Sequence, residues 1–127
     1  MGLQYKVESR KNYLLMSCKG VCEASMAGDF TNQIVNACQT YQPTKFLIDL
    51  RKLRGDMNTL ERFNLSVLAA KKYFIETTRG RIPKCRFALV GKRPLLDPDK
   101  FGESVAVNRG LNTHTFSDVK KAIAWLK

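Results

Sequence analysis

The sequence has little of what enzymes most often use. It contains a single histidine, His114, among 127 residues, and it lacks the GxxxxGK(S/T), GxGxxG, HExxH and GxSxG motifs of nucleotide binding, metalloproteolysis and acyl transfer. His114 falls in a predicted short strand, where an ordinary polar residue is favoured over a general base. A Cys–His pair brought together by folding stays open, but the pattern predicts a protein that is not an enzyme and needs no cofactor.

Cysteine is also scarce. Four cysteines are too few for a disulfide scaffold, and a chain of this length can bury a core without one. Two of them are four residues apart, but a zinc site would need two further ligands, and the single histidine lies far away in the sequence. We therefore expect no metal site, and reduced thiols that act as small buried hydrophobic groups, at Cys18, Cys22, Cys38 and Cys85.

Long apolar runs are missing as well. No window approaches the roughly 18 apolar residues that a membrane span requires. The residues that follow Met1 also lack the apolar region of a secretory signal peptide. The sequence therefore predicts a cytoplasmic protein without a membrane span.

Acidic residues are outnumbered by basic ones. Lys and Arg total 22 against 11 for Asp and Glu, which gives a net charge of +11 at pH 7. A positive field of this size favours anionic partners. The basic residues are scattered along the chain without a long basic run, and no recognition motif accompanies them. This pattern favours a solubilising surface, and nonspecific nucleic-acid association is kept as an alternative.

What the sequence does contain is a regular succession of strand and helix patterns. Residues 4–9 and 13–19 are rich in β-formers and predict a hairpin. Apolar residues at spacings of three and four predict a helix over residues 24–41, which Pro43 ends. A continuous apolar run at 46–48 then predicts a central strand over residues 45–50, covered on both faces.

The middle of the chain predicts a parallel pair of strands. A second apolar strand is predicted over residues 87–90 and is closed by Gly91. Between the two strands a helical stripe continues to about residue 78, and Asn58 and Glu61 have the spacing of a capping box at its start. A strand, a helix and a strand in this order imply a right-handed crossover.

The final third predicts two more helices and a strand. Asp97 followed by proline indicates the start of a helix that ends at Gly110. Residues 112–116 predict a short strand, and Ser117 is expected to cap a helix that carries an apolar stripe and an anchoring tryptophan, namely Val119, Ala122, Ile123 and Leu126 with Trp125. The order β-β-α-β-α-β-α-β-α predicts one α/β domain over residues 1–127, with a mixed sheet of about five strands covered by about four helices.

The most informative passage runs from residue 46 to residue 59. Asp49 is predicted to end the most apolar strand, and in open α/β sheets functional groups collect beyond the carboxyl ends of parallel strands. With Asp49 included, this passage holds three cations, two acids, a glycine and a helix N-terminus, and helix N-termini attract anions. We therefore predict a site for a partner or ligand, formed by Asp49, Arg51, Arg54, Gly55, Asp56, Asn58 and Thr59, with Arg109.

A structural interpretation of the same residues is open beside the functional one. Asp49 can pair with a nearby arginine, Gly55 can supply an unusual backbone angle, and Asn58 can cap the helix. The two interpretations do not exclude each other, because a cluster can be both structural and functional.

Four stretches of the sequence resemble a known family. They are residues 46–55 (FLIDLRKLRG), 105–110 (VAVNRG), 115–118 (TFSD) and 122–126 (AIAWL). Together they resemble the SpoIIAA-like, STAS-type proteins, and the resemblance spans nearly the whole chain. It implies a small cytoplasmic bacterial domain that binds other proteins, as anti-sigma factor antagonists do, without chemistry of its own.

The resemblance also implies a regulatory position, from which this sequence departs. In the antagonists, a partner kinase phosphorylates a serine at the start of the helix after the third strand, and the added charge breaks the complex. Asn58 occupies the matching acceptor position here, and Thr59 is the nearby hydroxyl. The sequence therefore gives no sign of a kinase switch.

Three functions from different classes follow. The first is a regulatory or scaffolding domain that binds a protein partner through the passage from Asp49 to Thr59, with a second copy of the chain kept as a further candidate partner. The alternative is a small anionic or lipid-like ligand held at Arg51, Arg54 or Arg109, because the SpoIIAA-like group is also similar to CRAL-TRIO lipid-binding domains. The third is the nucleic-acid association that the net charge favours.

Overall fold

The computed structural model describes residues 3–55, 59–92 and 110–127 of the chain. In these residues it contains a five-stranded sheet, a short 3-10 turn and three α-helices. In chain order the elements are β1 (Gln4–Ser9), β2 (Leu14–Val21), the 3-10 turn (Ala24–Met26), α1 (Ala27–Tyr41), β3 (Lys45–Arg54), α2 (Thr59–Thr78), β4 (Arg86–Val90), β5 (Thr113–Phe116) and α3 (Val119–Leu126).

The strands lie in the sheet in the same order as in the sequence, β1-β2-β3-β4-β5. The first two strands pair antiparallel as a hairpin, whereas each of the following pairs is parallel. The predicted mixed sheet, its hairpin and its parallel strands are confirmed. Because parallel strands start at one end of a sheet and finish at the other, functional groups can collect at two opposite ends of this molecule.

The central strand is longer than the sequence predicts. Its expected end at residue 50 is wrong, because β3 continues to Arg54 by pairing with the last residues of β2, up to Val21. A register shift between Ser17 and Lys19 precedes this extension. On its other side β4 pairs only as far as Asp49, which lies opposite Val90. The extension is paired on one side alone, carries charged residues and therefore lacks the apolar signal of a central strand.

Helices cover both faces of the sheet. On one face α1 and α2 enclose the larger core, in which Met16, Phe46 and Ile48 are fully buried. On the other face α3 packs its Ala122 and Leu126 against the smaller core, which includes Leu47, Ala88 and Val90. Since consecutive residues of β3 enter opposite cores, its run of apolar residues without alternation is explained.

The helices differ from the expectation in number and in their caps. The predicted fourth helix, from Asp97 to Gly110, falls mainly on residues 93–109, which lie outside the described residues. Ser117 was expected to cap the last helix, but this is wrong. Asp118 is the cap, because its extended backbone brings the carboxylate within 2.9 Å of the Lys120 amide N–H.

The aromatic residues near the carboxyl end of the chain form one cluster on the α3 face. His114 stacks on Trp125 with the ring centroids 5.6 Å apart and contacts Phe116 edge-on at 4.7 Å. The guanidinium of Arg86 lies 4.4 Å from the centre of the Trp125 ring and donates a hydrogen bond to the Trp125 carbonyl oxygen. This arrangement supports the anchoring role expected for Trp125.

Within the described part of the chain, no helix combines the length and the apolar character needed to cross a membrane.

Candidate functional site

Asp49 lies inside β3, and among the described residues its carboxylate is held by Arg51 alone. Its carboxylate accepts three hydrogen bonds from Arg51: from the backbone N–H at 3.0 Å, from Nε at 3.0 Å and from Nη2 at 2.8 Å. The Asp49 side chain is only 17% exposed, whereas that of Arg51 is 43% exposed. The Asp49 carboxylate is therefore largely occupied by hydrogen bonds within the strand. A partner can reach the outer face of the Arg51 guanidinium.

The electrostatics of this pair favour the charged form of both residues. The Arg51 side-chain hydrogen bonds lower the pKa of Asp49, the backbone hydrogen bond acts in the same direction, and burial opposes both. The same contact raises the pKa of Arg51. The pairing of Asp49 with a nearby arginine, which the structural interpretation expects, is thus present. Asp49 acts on Arg51 by positioning it, because bidentate contacts fix the plane of a guanidinium.

Gly55 follows the end of β3 and has a backbone that only glycine adopts readily. Its φ is +112°, and a Cβ at this position would lie 2.6 Å from the carbonyl oxygen of Cys22. The neighbouring Cys22 N–H donates to the Arg54 carbonyl at 2.7 Å. Gly55 therefore lets the chain leave the sheet while β2 and β3 stay in contact. This is the unusual backbone angle that the structural interpretation of the sequence expects at Gly55.

The exposed side chains beside the pair are basic. Lys19 and Lys52 lie opposite each other on β2 and β3, and Arg54 lies opposite Val21. All three cations are exposed, and within residues 3–55, 59–92 and 110–127 none of them makes an ion pair. The carboxyl end of β2 and β3 therefore presents free positive charge next to Arg51.

Two apolar side chains that the sequence interpretation missed lie at the same end of the molecule. Val21 at the end of β2 is 49% exposed, and Leu60 in the first turn of α2 is 66% exposed. The charge of Glu61 helps to raise the pKa of Cys22, after the larger effect of burial, so the start of α2 lies close to the end of β2. Val21 escaped notice because the strand was expected to end at Lys19.

The structure brings together only part of the predicted site. Asp49, Arg51, Arg54 and Gly55 follow one another along the end of β3, and α2 begins at Thr59 as the helix after this strand. The described residues do not include Asp56, Asn58 and its expected capping box, Arg109, or the side chain of Thr59. We call residues 49–55, together with Lys19, Val21 and Leu60, the carboxyl-end surface.

No group of three or more potential metal ligands exists in the part of the chain that the structure describes. Three of the four thiols, those of Cys18, Cys38 and Cys85, are buried, and the Cys22 thiol is half-buried. Burial, and then the charge of Asp49, raises the pKa of Cys18 to about 12. A hydrogen bond with Cys38, followed by burial, raises the pKa of Cys85.

These thiols give the first prediction. We expect Cys22 to react with iodoacetamide at pH 8 well before the other three, because alkylation needs an accessible thiolate and the others gain access only when the fold opens. Peptide mass spectrometry after timed labelling measures the order. In urea all four should react, which controls for intrinsic reactivity. Native labelling of Cys18 or Cys38 as fast as that of Cys22 would contradict the burial of those two thiols.

Comparisons with known proteins identify the architecture. No protein-family model matches the sequence, and no curated protein matches it either. Solved structures do match. An anti-sigma factor antagonist from Mycobacterium paratuberculosis superimposes with a TM-score of 0.60 at 13% identity, over 98% of this chain and 94% of the other.

Two further structures agree. An uncharacterised protein with a SpoIIAA-like fold from Shewanella loihica gives a TM-score of 0.52 at 19% identity, over 99% of this chain and 94% of that one. The unphosphorylated anti-sigma factor antagonist SpoIIAA gives 0.54 at 11% identity, over 97% and 96%. Identities this low establish similarity of fold alone. On that ground the chain is a domain with the SpoIIAA-like, STAS-type fold.

Proposed function

We propose that this domain is a non-enzymatic regulator that binds a protein partner through the carboxyl-end surface. The observation that carries the proposal is the composition of that surface. Exposed cations at the end of β3 share this end of the molecule with two exposed apolar side chains, Val21 opposite Arg54 and Leu60 in the first turn of α2. Protein interfaces combine apolar contacts near the centre with a polar rim, and anchoring groups are most effective when they are already ordered.

The fold supports the same role. Two of the similar structures are anti-sigma factor antagonists, a class of protein that acts by binding another protein. The sequence predicts that the passage from Asp49 to Thr59 binds a partner. In the structure this passage runs from β3 to the start of α2, the helix that follows the third strand. In this proposal Asp49 positions the Arg51 guanidinium. The residues that contact the partner are Arg51, Lys52, Arg54 and Leu60.

The charge of the surface determines the chemistry of the partner. Lys19, Lys52 and Arg54 are exposed cations without an acidic neighbour that pairs with them in the described residues. A partner surface with acidic residues around an apolar pocket complements this arrangement, because opposite charges speed association and exclude wrong partners. We therefore expect an acidic protein partner.

The second prediction tests this proposal by charge reversal. Lys52→Glu combined with Arg54→Glu should weaken partner binding by at least about 10-fold, because the reversals place like charges opposite an acidic partner surface, and such juxtaposition costs several kcal/mol. Leu60→Ala should weaken it as well, without changing its dependence on salt. Immobilised wild-type and variant domains are compared for captured protein, and the affinity for the isolated partner is then measured by calorimetry.

The matched control is Arg79→Glu combined with Lys84→Glu. It makes the same change in net charge on exposed residues between α2 and β4, at the opposite end of the sheet from the proposed interface, and should leave binding unchanged. An equal loss of partner binding in both double variants would mean that the effect depends on net charge and not on this surface. Full retention of every partner by the Lys52/Arg54 variant would overturn the proposal.

The small-ligand alternative receives no comparable support. A groove lined by described residues lies at the opposite end of the sheet from Asp49, against the final part of α2 and the start of β4. Arg109, expected to help hold an anionic head group, is outside the described residues. The ligand hypothesis therefore stays a prediction from the sequence.

A further inference from the structure

The amino end of the sheet, where β2 to β5 begin, lies opposite the carboxyl-end surface and unites distant parts of the chain. The Gln42 Nε2 atom donates to the Arg81 carbonyl at 2.9 Å, which joins the end of α1 to the connection between α2 and β4. The Arg86 N–H donates to the Thr44 carbonyl at 2.9 Å. The turn that precedes β2 lies beside them, because Leu14 pairs with Phe46.

This end of the molecule is strongly basic. Among the described residues it carries two acidic side chains. Glu8 pairs with Arg10 at 2.9 Å, and Glu76 pairs with Arg81 at 3.3 Å. The basic residues are eight in number: Arg10, Lys11, Lys45, Arg79, Arg81, Lys84, Arg86 and Lys127. The Arg86 guanidinium packs on the Trp125 ring. Apart from Arg86, five make no ion pair within the described residues, and we call the four of them that lie at or just before the starts of β2, β3 and β4 the amino-end cations: Lys11, Lys45, Arg79 and Lys84.

Helix dipoles explain part of this charge but not all of it. The three helices α1, α2 and α3 all end at the amino end of the sheet. Each carboxyl terminus carries roughly half a negative charge, so together they offset about 1.5 positive charges. The four amino-end cations exceed that amount, and three of them, Lys11, Arg79 and Lys84, are exposed to solvent. A surplus of positive charge attracts polyanions.

A groove beside the amino-end cations adds an aromatic group. It has a volume of about 740 Å³, and Phe74 of α2, Lys84 and Asn112 are among the residues that line it. Phe74 is 65% exposed, although large apolar side chains are usually buried. Thr78 and Asn112 line the same groove and are exposed, so they supply hydrogen-bonding groups, whereas the Thr77 hydroxyl already donates to the Tyr73 carbonyl at 2.8 Å. One amino-end cation, Lys84, thus lies within the same concave surface as an exposed aromatic ring and hydrogen-bonding groups.

We propose that this groove and the amino-end cations bind single-stranded nucleic acid. The cations contact backbone phosphates, and one base stacks on Phe74 with its edge towards Thr78 and Asn112. Neighbouring strands are about 4.8 Å apart, so the cations at the starts of β2, β3 and β4 spread over about 10 Å. Several phosphates of one extended strand can therefore be contacted at the same time. Stacking platforms combined with basic grooves are the general means of binding single strands.

The concave shape favours a single strand over other polyanions. A duplex keeps its bases stacked inside and offers Phe74 no partner. A bilayer surface is flat and would engage an aromatic residue on a projection, whereas Phe74 lines a groove. This site is separate from the carboxyl-end surface, so each can fail without the other.

The third prediction measures binding of fluorescein-labelled dT12 and U12 by anisotropy at 50 and 200 mM salt. Wild-type protein should bind in the micromolar range at 50 mM salt and weaken steeply as salt rises. Arg79→Glu combined with Lys84→Glu should weaken binding at least about 10-fold and lower the salt slope by about 1.4, which corresponds to two lost phosphate contacts. Phe74→Ala should weaken binding roughly 5- to 100-fold with an unchanged salt slope.

The control is Lys52→Glu combined with Arg54→Glu, which changes net charge equally at the opposite end of the sheet. Its affinity for the oligonucleotides should stay within about 2-fold of wild type, because the affinity depends mainly on the cations that contact the phosphates. Equal weakening by both double variants would overturn the site. So would the absence of wild-type binding at 50 mM salt, duplex binding as tight as single-strand binding and insensitive to Phe74→Ala, or preference for phosphatidylserine vesicles over both oligonucleotides.

Discussion

Replacing Gly55 with alanine is expected to lower the free energy of unfolding by about 3 kcal/mol. Two costs act together at this position. The residue has a φ of +112°, which side chains rarely tolerate, and the new Cβ would meet the Cys22 carbonyl oxygen at 2.6 Å. That oxygen belongs to the backbone and cannot move aside without disturbing the Cys22–Arg54 hydrogen bond.

Two other glycines separate these costs in the same denaturation experiment. Gly80 has a φ of +71° with no atom within 4 Å of the position that a methyl group would take, and Gly28 lies in α1 with open space around it. Gly80→Ala should therefore cost about 1 kcal/mol, and Gly28→Ala should be neutral or slightly stabilising. Urea unfolding followed by circular dichroism measures all three. A Gly55→Ala cost no larger than that of Gly80→Ala would show that the close contact with Cys22 does not matter.

Removing the Phe46 ring is expected to cost about 3–5 kcal/mol. The side chain is fully buried in the core between the sheet, α1 and α2, with its ring 5.9 Å from that of Phe87. Phe87 in turn meets Tyr73 edge-on at 5.7 Å, and the Tyr73 hydroxyl accepts the Cys85 N–H at 3.0 Å. Phe46→Ala thus opens a cavity at the centre of one aromatic group.

The matched control makes the identical substitution at the surface. Phe74→Ala removes the same ring from a side chain that is 65% exposed, so the cost should stay below about 1 kcal/mol. The difference in urea midpoint at equal m-value reports the effect of burial alone. Similar costs at both positions would mean that Phe74 is packed in solution, which would also remove the stacking platform from the nucleic-acid proposal.

The sequence predicts most of the described fold because apolar patterns follow the cores. The run at Phe46, Leu47 and Ile48 indicates a central strand, since its side chains enter both cores in turn. The helical stripe before residue 78 matches α2, which ends at Thr78. Apolar patterns do not predict a strand whose residues are charged and exposed. The extension of β3 to Arg54 rests on backbone pairing with β2, and backbone pairing has no side-chain signature.

The candidate sites were less accessible to sequence reasoning. The link between Asp49 and Arg51 joins residues two apart, and it could be foreseen from their proximity in the chain. The basic amino end could not, because Lys11, Lys45 and Lys84 come from separate segments that only the parallel register brings together. In the sequence they look like scattered, solubilising charges. The exposure of Val21 depends likewise on where a neighbouring strand ends.

The strand order has a consequence for the protein as it is made on the ribosome. Every strand pairs with its neighbour in the sequence, so the sheet can grow strand by strand as the chain emerges, with α1 and α2 covering one face early. The opposite face, with Leu47, Ala88 and Val90, is covered by α3. Until residues 119–126 have left the exit tunnel, the nascent sheet offers this apolar face to chaperones or to other nascent chains.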